Sequence, residues 1–251
     1  MGNHDSGGGN KEGYGVPGMI EKAATLMGQE VTETDLQAIN RYTQTPLTAE
    51  EVFVFKAVLC DNDVDRDYER FSLQALNGLQ KLFRGKTVIK DHKWAADRQV
   101  ARIYDTELIS GDRDIVPGEK YTQLVAHCYM VKTNGNADLI AEIKGGIKRE
   151  GSIGCSVSRC VCSICGADIN SRPCGHVRGR KYEKDGKNQV CTFTLDGAED
   201  AYEFSLVAVP AQRAAGVSRS YEGTAGDATS PEELALRARI AAVIARNISI
   251  N

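Results

Sequence analysis

The chain has 251 residues, of which 41% are hydrophobic and 26% are charged, and its formal net charge at pH 7 is −3. This composition is typical of a soluble globular protein, and the lack of a strong basic charge argues against a nucleic acid as partner. No stretch approaches the roughly 20 apolar residues of a membrane span, and the polar, glycine-rich start is unlike a signal peptide. We therefore expect a soluble, intracellular protein with no membrane partner.

The first 47 residues are predicted to precede the folded domain. Residues 1–15 carry too few apolar side chains to offset the entropy of ordering, which is typical of a disordered tail. Residues 19–27 and 34–42 carry apolar side chains at helical spacing and predict two short helices outside the main core. The folded domain is expected over residues 48–221.

Most of the folded domain is predicted to form strands. β-Branched and aromatic side chains favour strands in six segments, 51–59, 87–89, 100–104, 121–131, 189–195 and 201–210. A polar turn containing Gly111, Pro117 and Gly118 is expected between the third and fourth segments. Many short strands with few helices predict an α+β fold, mainly a β-barrel or sandwich core decorated with helices.

Helices are predicted at three further places. Ser72 is placed to cap a leucine-rich helix that ends near Gly85. Asn136 is placed to cap a second helix. The apolar stripe of that second helix consists of Leu139, Ile143 and Ile147. Residues 222–251 are predicted to form a linker and a terminal helix, because Ser230-Pro231-Glu232-Glu233 has the pattern of a capping box.

A cluster of cysteines indicates a metal site. Five of the eight cysteines lie between residues 155 and 174, and without a secretory signal such crowding favours metal over disulfides. A zinc-knuckle insertion is predicted over residues 160–178, with the donors Cys162, Cys165, Cys174 and His176. Four protein donors leave no position for water, so the zinc is expected to be structural rather than catalytic. Two alternatives stay open: Cys160 replaces Cys162 or His176, or the thiols hold no metal.

Three scattered residues are candidates for nucleophilic catalysis. Ser152 lies between two glycines in a pattern typical of a turn, His92 follows a short apolar run, and Glu203 lies on a predicted strand. A hydroxyl, an imidazole and a carboxylate are the three parts of an acyl-transfer site. Each residue alone also has an ordinary structural interpretation. His127, in an apolar strand, is the alternative to Glu203 as partner of the imidazole.

Four sequence blocks occur in order: Val64-Asp65-Arg66, Gly85-Lys86 to Asp91-His92, Gly151-Ser152-Ile153-Gly154, and Glu203 to Ala211. Together they resemble the prohead (capsid maturation) proteases of tailed bacteriophages, which are serine peptidases with a herpesvirus-assemblin-like fold. The resemblance covers about residues 50–220. It implies that Ser152 is the nucleophile, His92 the base and Glu203 the acidic third member.

The resemblance also implies a setting. Proteases of this family act inside the prohead in the host cytoplasm, where they cleave scaffold protein, extensions of the major capsid protein and themselves, without a catalytic cofactor. The tail before Thr48 and the linker after Tyr221 are then expected self-cleavage sites. Cys155 and the zinc-knuckle insertion depart from the family pattern. The alternative is a non-catalytic capsid assembly or scaffolding protein that docks through its zinc loop, and a homodimer stays open in either case.

Overall fold

The computed structural model describes residues 31–209, 212 and 215–218. The predicted N-terminal tail and first helix, and the predicted linker and terminal helix of residues 222–251, lie outside the described residues. Within them the fold is mixed α+β, with one large sheet and few helices, as the sequence predicted. No helix in this part of the chain is long and apolar enough to cross a membrane.

The described residues form ten strands and three α-helices. The strands are β1 (Val52–Asp61), β2 (Glu69–Phe71), β3 (Thr87–Lys90), β4 (Ala101–Val116), β5 (Glu119–Val131), β6 (Gly151–Cys162), β7 (Lys181–Lys184), β8 (Lys187–Val190), β9 (Phe193–Leu206) and β10 (Gly216–Ser218). The α-helices are α1 (Glu33–Ile39), α2 (Leu73–Leu82) and α3 (Ala137–Lys144).

The large sheet is organised around β9. Its order is β10-β1-β5-β4-β3-β9-β2, and β6 pairs antiparallel with β9 along most of its length. β2 and β3 both run parallel to β9, β2 at its start and β3 at its end. An isolated bridge between Glu150 and Gly216 joins the start of β6 to β10. The pairing path therefore returns to its beginning and closes seven strands into a ring.

The two faces of β1 serve two apolar clusters, because successive side chains of a strand point in opposite directions. Phe53, Phe55 and Leu59 belong to the main core. Val52 and Val54 belong to a smaller cluster that also contains Ile39 of α1. The sequence thus correctly placed the helix at 34–42 outside the main core.

Helix α2 confirms the prediction made from Ser72. The Ser72 hydroxyl accepts a hydrogen bond from the backbone N–H of Ala75 at the helix start. The helix buries its apolar face against β9, and Gly78 allows this close approach because a Cβ there would lie 2.8 Å from Cβ of Ala198. The helix ends at Leu82, three residues before Gly85.

Helix α3 was predicted with two errors. Its buried residues are Leu139, Ile140 and Ile143, whereas Ile147 lies beyond the helix end and is 71% exposed. Asn136 precedes the helix but does not cap it through its side chain. Its amide instead binds the backbone of Thr133 and Val131, because the chain first makes a short 3₁₀ turn there.

The polar segment between residues 104 and 121 is mostly strand, which contradicts the predicted long turn. β4 continues to Val116, and the turn consists of Pro117 and Gly118 alone. Gly111 lies inside β4. The outer half of this hairpin is largely exposed, so its side chains lack the alternation of apolar and polar residues that signals a strand in sequence.

Two other segments also differ from expectation. Gly151-Ser152-Ile153-Gly154 begins strand β6 and is not a turn, since backbone pairing with β9 runs through all four residues. The predicted strand 189–195 is interrupted at Cys191, where β8 ends and β9 has yet to start. β7 and β8 form an unpredicted hairpin around Asp185-Gly186, a dipeptide that favours such turns.

Candidate functional site

His92 and Glu203 are in direct contact. The Nδ1 atom of His92 lies 2.8 Å from Oε1 of Glu203. The contact exists because β3 runs parallel to the end of β9, and the chain then turns back over β9 immediately after Lys90. Asp91 and His92 both adopt left-handed backbone conformations, with φ of 55° and 52°. Non-glycine residues rarely adopt this conformation, so the turn that presents the imidazole is strained.

Ser205 holds the main chain of the same histidine. Its hydroxyl is fully buried and accepts a hydrogen bond of 2.8 Å from the backbone N–H of His92. Ser205 lies two residues after Glu203 and therefore projects from the same face of β9. One strand thus holds both the ring and the main chain of His92. The sequence analysis did not identify Ser205 as a site residue.

Ser152 lies on the strand next to this pair. In the antiparallel pairing of β6 with β9, Ser152 is opposite Ser205 and Gly154 is opposite Glu203. Opposed residues project from the same face of a sheet, with Cα atoms about 4.5–5.5 Å apart. Ser152, Ser205 and Glu203 therefore share one face. Among the described residues, no hydrogen bond joins the half-buried Ser152 to His92.

Gly151 and Gly154 give the site its shape. A Cβ at Gly154 would lie 2.8 Å from Oε1 of Glu203, so any other residue there would displace that carboxylate from its present position. A Cβ at Gly151 would lie 2.1 Å from the ring of Phe204, which is fully buried in the main core. One glycine therefore makes space for the carboxylate and the other for the core.

The burial and charge of the His92–Glu203 pair favour His92 as a base that is open to solvent. Burial raises the pKa of Glu203, and the hydrogen bond with His92 opposes that rise. The Glu203 side chain is 3% exposed, whereas that of His92 is 43% exposed. A hydrogen bond from Nδ1–H to the carboxylate leaves Nε2 of the neutral ring free to accept a proton. The geometry can thus supply an oriented general base.

His127, the alternative partner, belongs to a different group. Its Nε2 lies 2.8 Å from Oε1 of Glu107, which also accepts a hydrogen bond from Lys56. The ring packs edge-on against Tyr104. His127 lies on β5, which β4 and β3 separate from β9 in the sheet order.

The four predicted zinc donors come together. The donor atoms of Cys162, Cys165, Cys174 and His176 all lie within 4.8 Å of one another, so this Cys3His cluster could hold a metal ion. Cys160 is not part of the group. Burial opposes ionisation of the Cys162 thiol, yet hydrogen bonds from the backbone and thiol of Cys165 and from other neighbours lower its pKa below the usual range. Nδ1 of His176 is buried without a hydrogen-bond partner, which fits a ligand atom.

Two exposed aromatic side chains lie beside the His92–Glu203 pair. Trp94 is 71% exposed and follows His92 by two residues, while Tyr202 immediately precedes Glu203. Their ring centroids are 5.6 Å apart. The sequence analysis did not single out either residue, although an exposed tryptophan next to a candidate base is a recognisable signal of binding.

Comparison of the chain with protein-family models, with curated proteins and with solved structures gives no match.

Proposed function

We propose that this protein is a serine endopeptidase in which Ser152 is the nucleophile, His92 the general base and Glu203 the residue that orients the base. The observation that carries the proposal is the 2.8 Å contact between His92 Nδ1 and Glu203 Oε1. A buried carboxylate that holds one nitrogen of a partly exposed imidazole leaves the other nitrogen as the base. The hydroxyl of Ser152 projects from the same sheet face on the adjoining strand.

The reaction follows from these positions. His92 takes the proton of Ser152 as the hydroxyl oxygen attacks the carbonyl carbon of a peptide bond, and returns that proton to the leaving amine. Glu203 stabilises the imidazolium that forms between these steps. Water then attacks the acyl-enzyme, with His92 again accepting the proton, and releases Ser152. Because substrate binding tightens such sites, the lack of a direct hydrogen bond between Ser152 and His92 in the free chain is compatible with this role.

The order of the sequence blocks makes a prohead maturation protease the specific form of the proposal. The closed ring of seven strands supports the herpesvirus-assemblin-like barrel that this resemblance implies. In this setting the substrates are the scaffold protein, the major capsid protein and the chain itself. Trp94 and Tyr202 offer an apolar surface beside the base for a side chain of an extended peptide.

For the Cys3His cluster we propose a structural zinc. Cys162 and Ser152 are ten residues apart on β6, which corresponds to roughly 30 Å along a strand. At that distance a metal takes no part in the chemistry at Ser152. Zinc would instead tie the loop between Cys162 and His176 to the end of β6 and the start of β9, and would add to the small apolar cluster around Phe193.

Covalent labelling with an alkyl fluorophosphonate tests the nucleophile and the base together. We expect labelling of the wild-type chain at Ser152, since this reagent reacts with serines activated by a base. His92→Ala should prevent labelling, whereas Ser156→Ala, a serine four residues further along β6, should be labelled as the wild type is. Labelling that persists in Ser152→Ala, or that is insensitive to His92→Ala, would refute the assignment. A folded wild type that resists the reagent would favour a non-catalytic assembly protein.

A further inference from the structure

A fourth thiol lies beside the three thiols of the Cys3His cluster. Sγ of Cys191 is 3.9 Å from Sγ of Cys162, and the Cys191 side chain is fully buried. Cys191 does not belong to the four donors that all lie within 4.8 Å of one another, so Cys162 is its link to that group. Cys191 was not among the metal donors predicted from the sequence.

The distance between the two sulfurs is that expected within one metal site. With zinc–sulfur bonds of about 2.3 Å, two thiolates of a tetrahedral site lie about 3.8 Å apart. Cys162 and Cys191 already have nearly this separation. Cys191 therefore needs little movement to share an ion with Cys162.

The backbone of Cys191 is held on both sides by hydrogen bonds. The N–H of Cys191 donates to the carbonyl oxygen of Arg180, and its own carbonyl oxygen accepts from the N–H of Gly179, at 2.8 and 2.9 Å. Its side chain packs in a small cluster with Cys162 and Phe193. The ring of His176, by contrast, is partly exposed and packs edge-on against Tyr182. The buried side of the site thus offers two sulfurs, and the partly exposed side offers the histidine.

We propose that Cys191 is a reserve ligand of this metal site, which takes the fourth position whenever His176 is not bound. Cys191 is a fifth donor beside a group of four, and four donors fill the coordination of zinc. In the exchange, the bond between the metal and the His176 nitrogen breaks and a bond to Cys191 Sγ forms. The proton of the Cys191 thiol passes to the released imidazole. The inference rests on the metal-binding part of the proposed function and is independent of peptidase activity.

Cobalt(II) binding by the full-length chain tests the proposal, because cobalt–thiolate absorption reports the number of sulfur ligands and needs no enzyme assay. The wild type and Cys191→Ser should both bind one cobalt with the spectrum of three thiolates and one nitrogen. His176→Ala should still bind one cobalt, with thiolate absorption higher by about one third, as expected for four sulfurs in place of three. The double variant His176→Ala/Cys191→Ser should lose that increase and bind cobalt more weakly than His176→Ala, because one thiolate ligand is missing.

Cys160→Ser provides the matched control. Cys160 is a buried thiol that packs in the same apolar cluster as Cys162 and Cys191, but it is not one of the four donors of the Cys3His cluster. Added to His176→Ala, it should leave the four-sulfur spectrum unchanged. Identical spectra and affinities for His176→Ala and the double variant would overturn the proposal. So would four thiolates in the wild type, or loss of cobalt binding in Cys191→Ser, because Cys191 would then be a regular ligand. A wild type that binds no cobalt would refute the metal site itself, whatever the outcome of the fluorophosphonate experiment.

Discussion

Ser205 explains how a strained turn can present His92 in one orientation. The left-handed backbone at Asp91 and His92 costs free energy, and such strain persists only where surrounding contacts fix it. The hydrogen bond from the His92 N–H to the buried Ser205 hydroxyl is one such contact. In the proposed peptidase, Ser205 is therefore a positioning residue that would act on the reaction through His92.

Removal of this hydroxyl should impair catalysis more than folding. We expect Ser205→Ala to lower kcat about 5-fold with little change in KM, because a loss of roughly 1 kcal/mol of support falls on the imidazole and not on the bound peptide. Peptide hydrolysis and thermal unfolding should be measured side by side. Ser158→Ala is a suitable control, since the Ser158 hydroxyl also bonds to backbone, at Gly197, but lies outside the His92 site. An unchanged kcat in Ser205→Ala would remove the positioning role.

For individual site residues, the sequence predicted which side chains are involved but not which of them are in contact. His92 and Glu203 are separated by more than a hundred residues, and only the parallel pairing of β3 with β9 brings them together. Ser205 gave no signal because a buried serine on a strand is ordinary. Cys191 was missed because it is distant in sequence. It lies fifteen residues after His176, beyond the hairpin of β7 and β8, which was itself not predicted.

Strand β6 contains two glycines, Gly151 and Gly154, whose substitution should have different effects. Gly151→Ala places a methyl group against the buried ring of Phe204 and should lower the free energy of unfolding by about 1–3 kcal/mol. Gly154→Ala instead displaces the Glu203 carboxylate and should lower kcat/KM by about 10- to 100-fold. Denaturant unfolding and peptide hydrolysis measure the two effects.

Gly135→Ala is the control for these variants, because an added Cβ meets only the Thr133 hydroxyl at an ordinary contact distance of 3.9 Å. It should change neither stability nor activity appreciably. If Gly154→Ala left activity intact while Glu203 was essential, the close contact between that glycine and the carboxylate would have no functional meaning.

Elements with strong local signals were predicted well, and those without them were not. The cap at Ser72 and the leucine spacing of α2 agree with the structure, as do the central strands β1 and β5. The outer hairpin of β4 and β5 and the start of β6 were misjudged. In both places polar or glycine residues form strands because long-range pairing outweighs weak local preference.

The whole molecule depends on pairings between distant segments. β2, β3 and β6 all pair with β9, and the ring closes only where Glu150 meets Gly216. Periodicity in a sequence indicates that strands exist but not which strands are neighbours. The sequence therefore predicted the class of fold correctly, while the order of strands that assembles the site could be obtained only from the structure.

The ring places two sites at opposite ends of one pair of strands. The His92–Glu203 pair lies near the start of β6 and the end of β9, and the Cys3His cluster lies near the end of β6 and the start of β9. This separation supports the proposal that the metal is structural and that the peptidase reaction does not need it.

Self-processing tests the central claim most directly. The measurement is the intact mass of the purified full-length chain beside that of Ser152→Ala, after both have been incubated at high concentration. We predict that the wild type alone is shortened, at sites before Thr48 or after Tyr221, because one molecule becomes the substrate of another when molecules are crowded. Equal shortening of Ser152→Ala, with the same cleavage sites, would contradict the claim that Ser152 is the nucleophile of a serine endopeptidase.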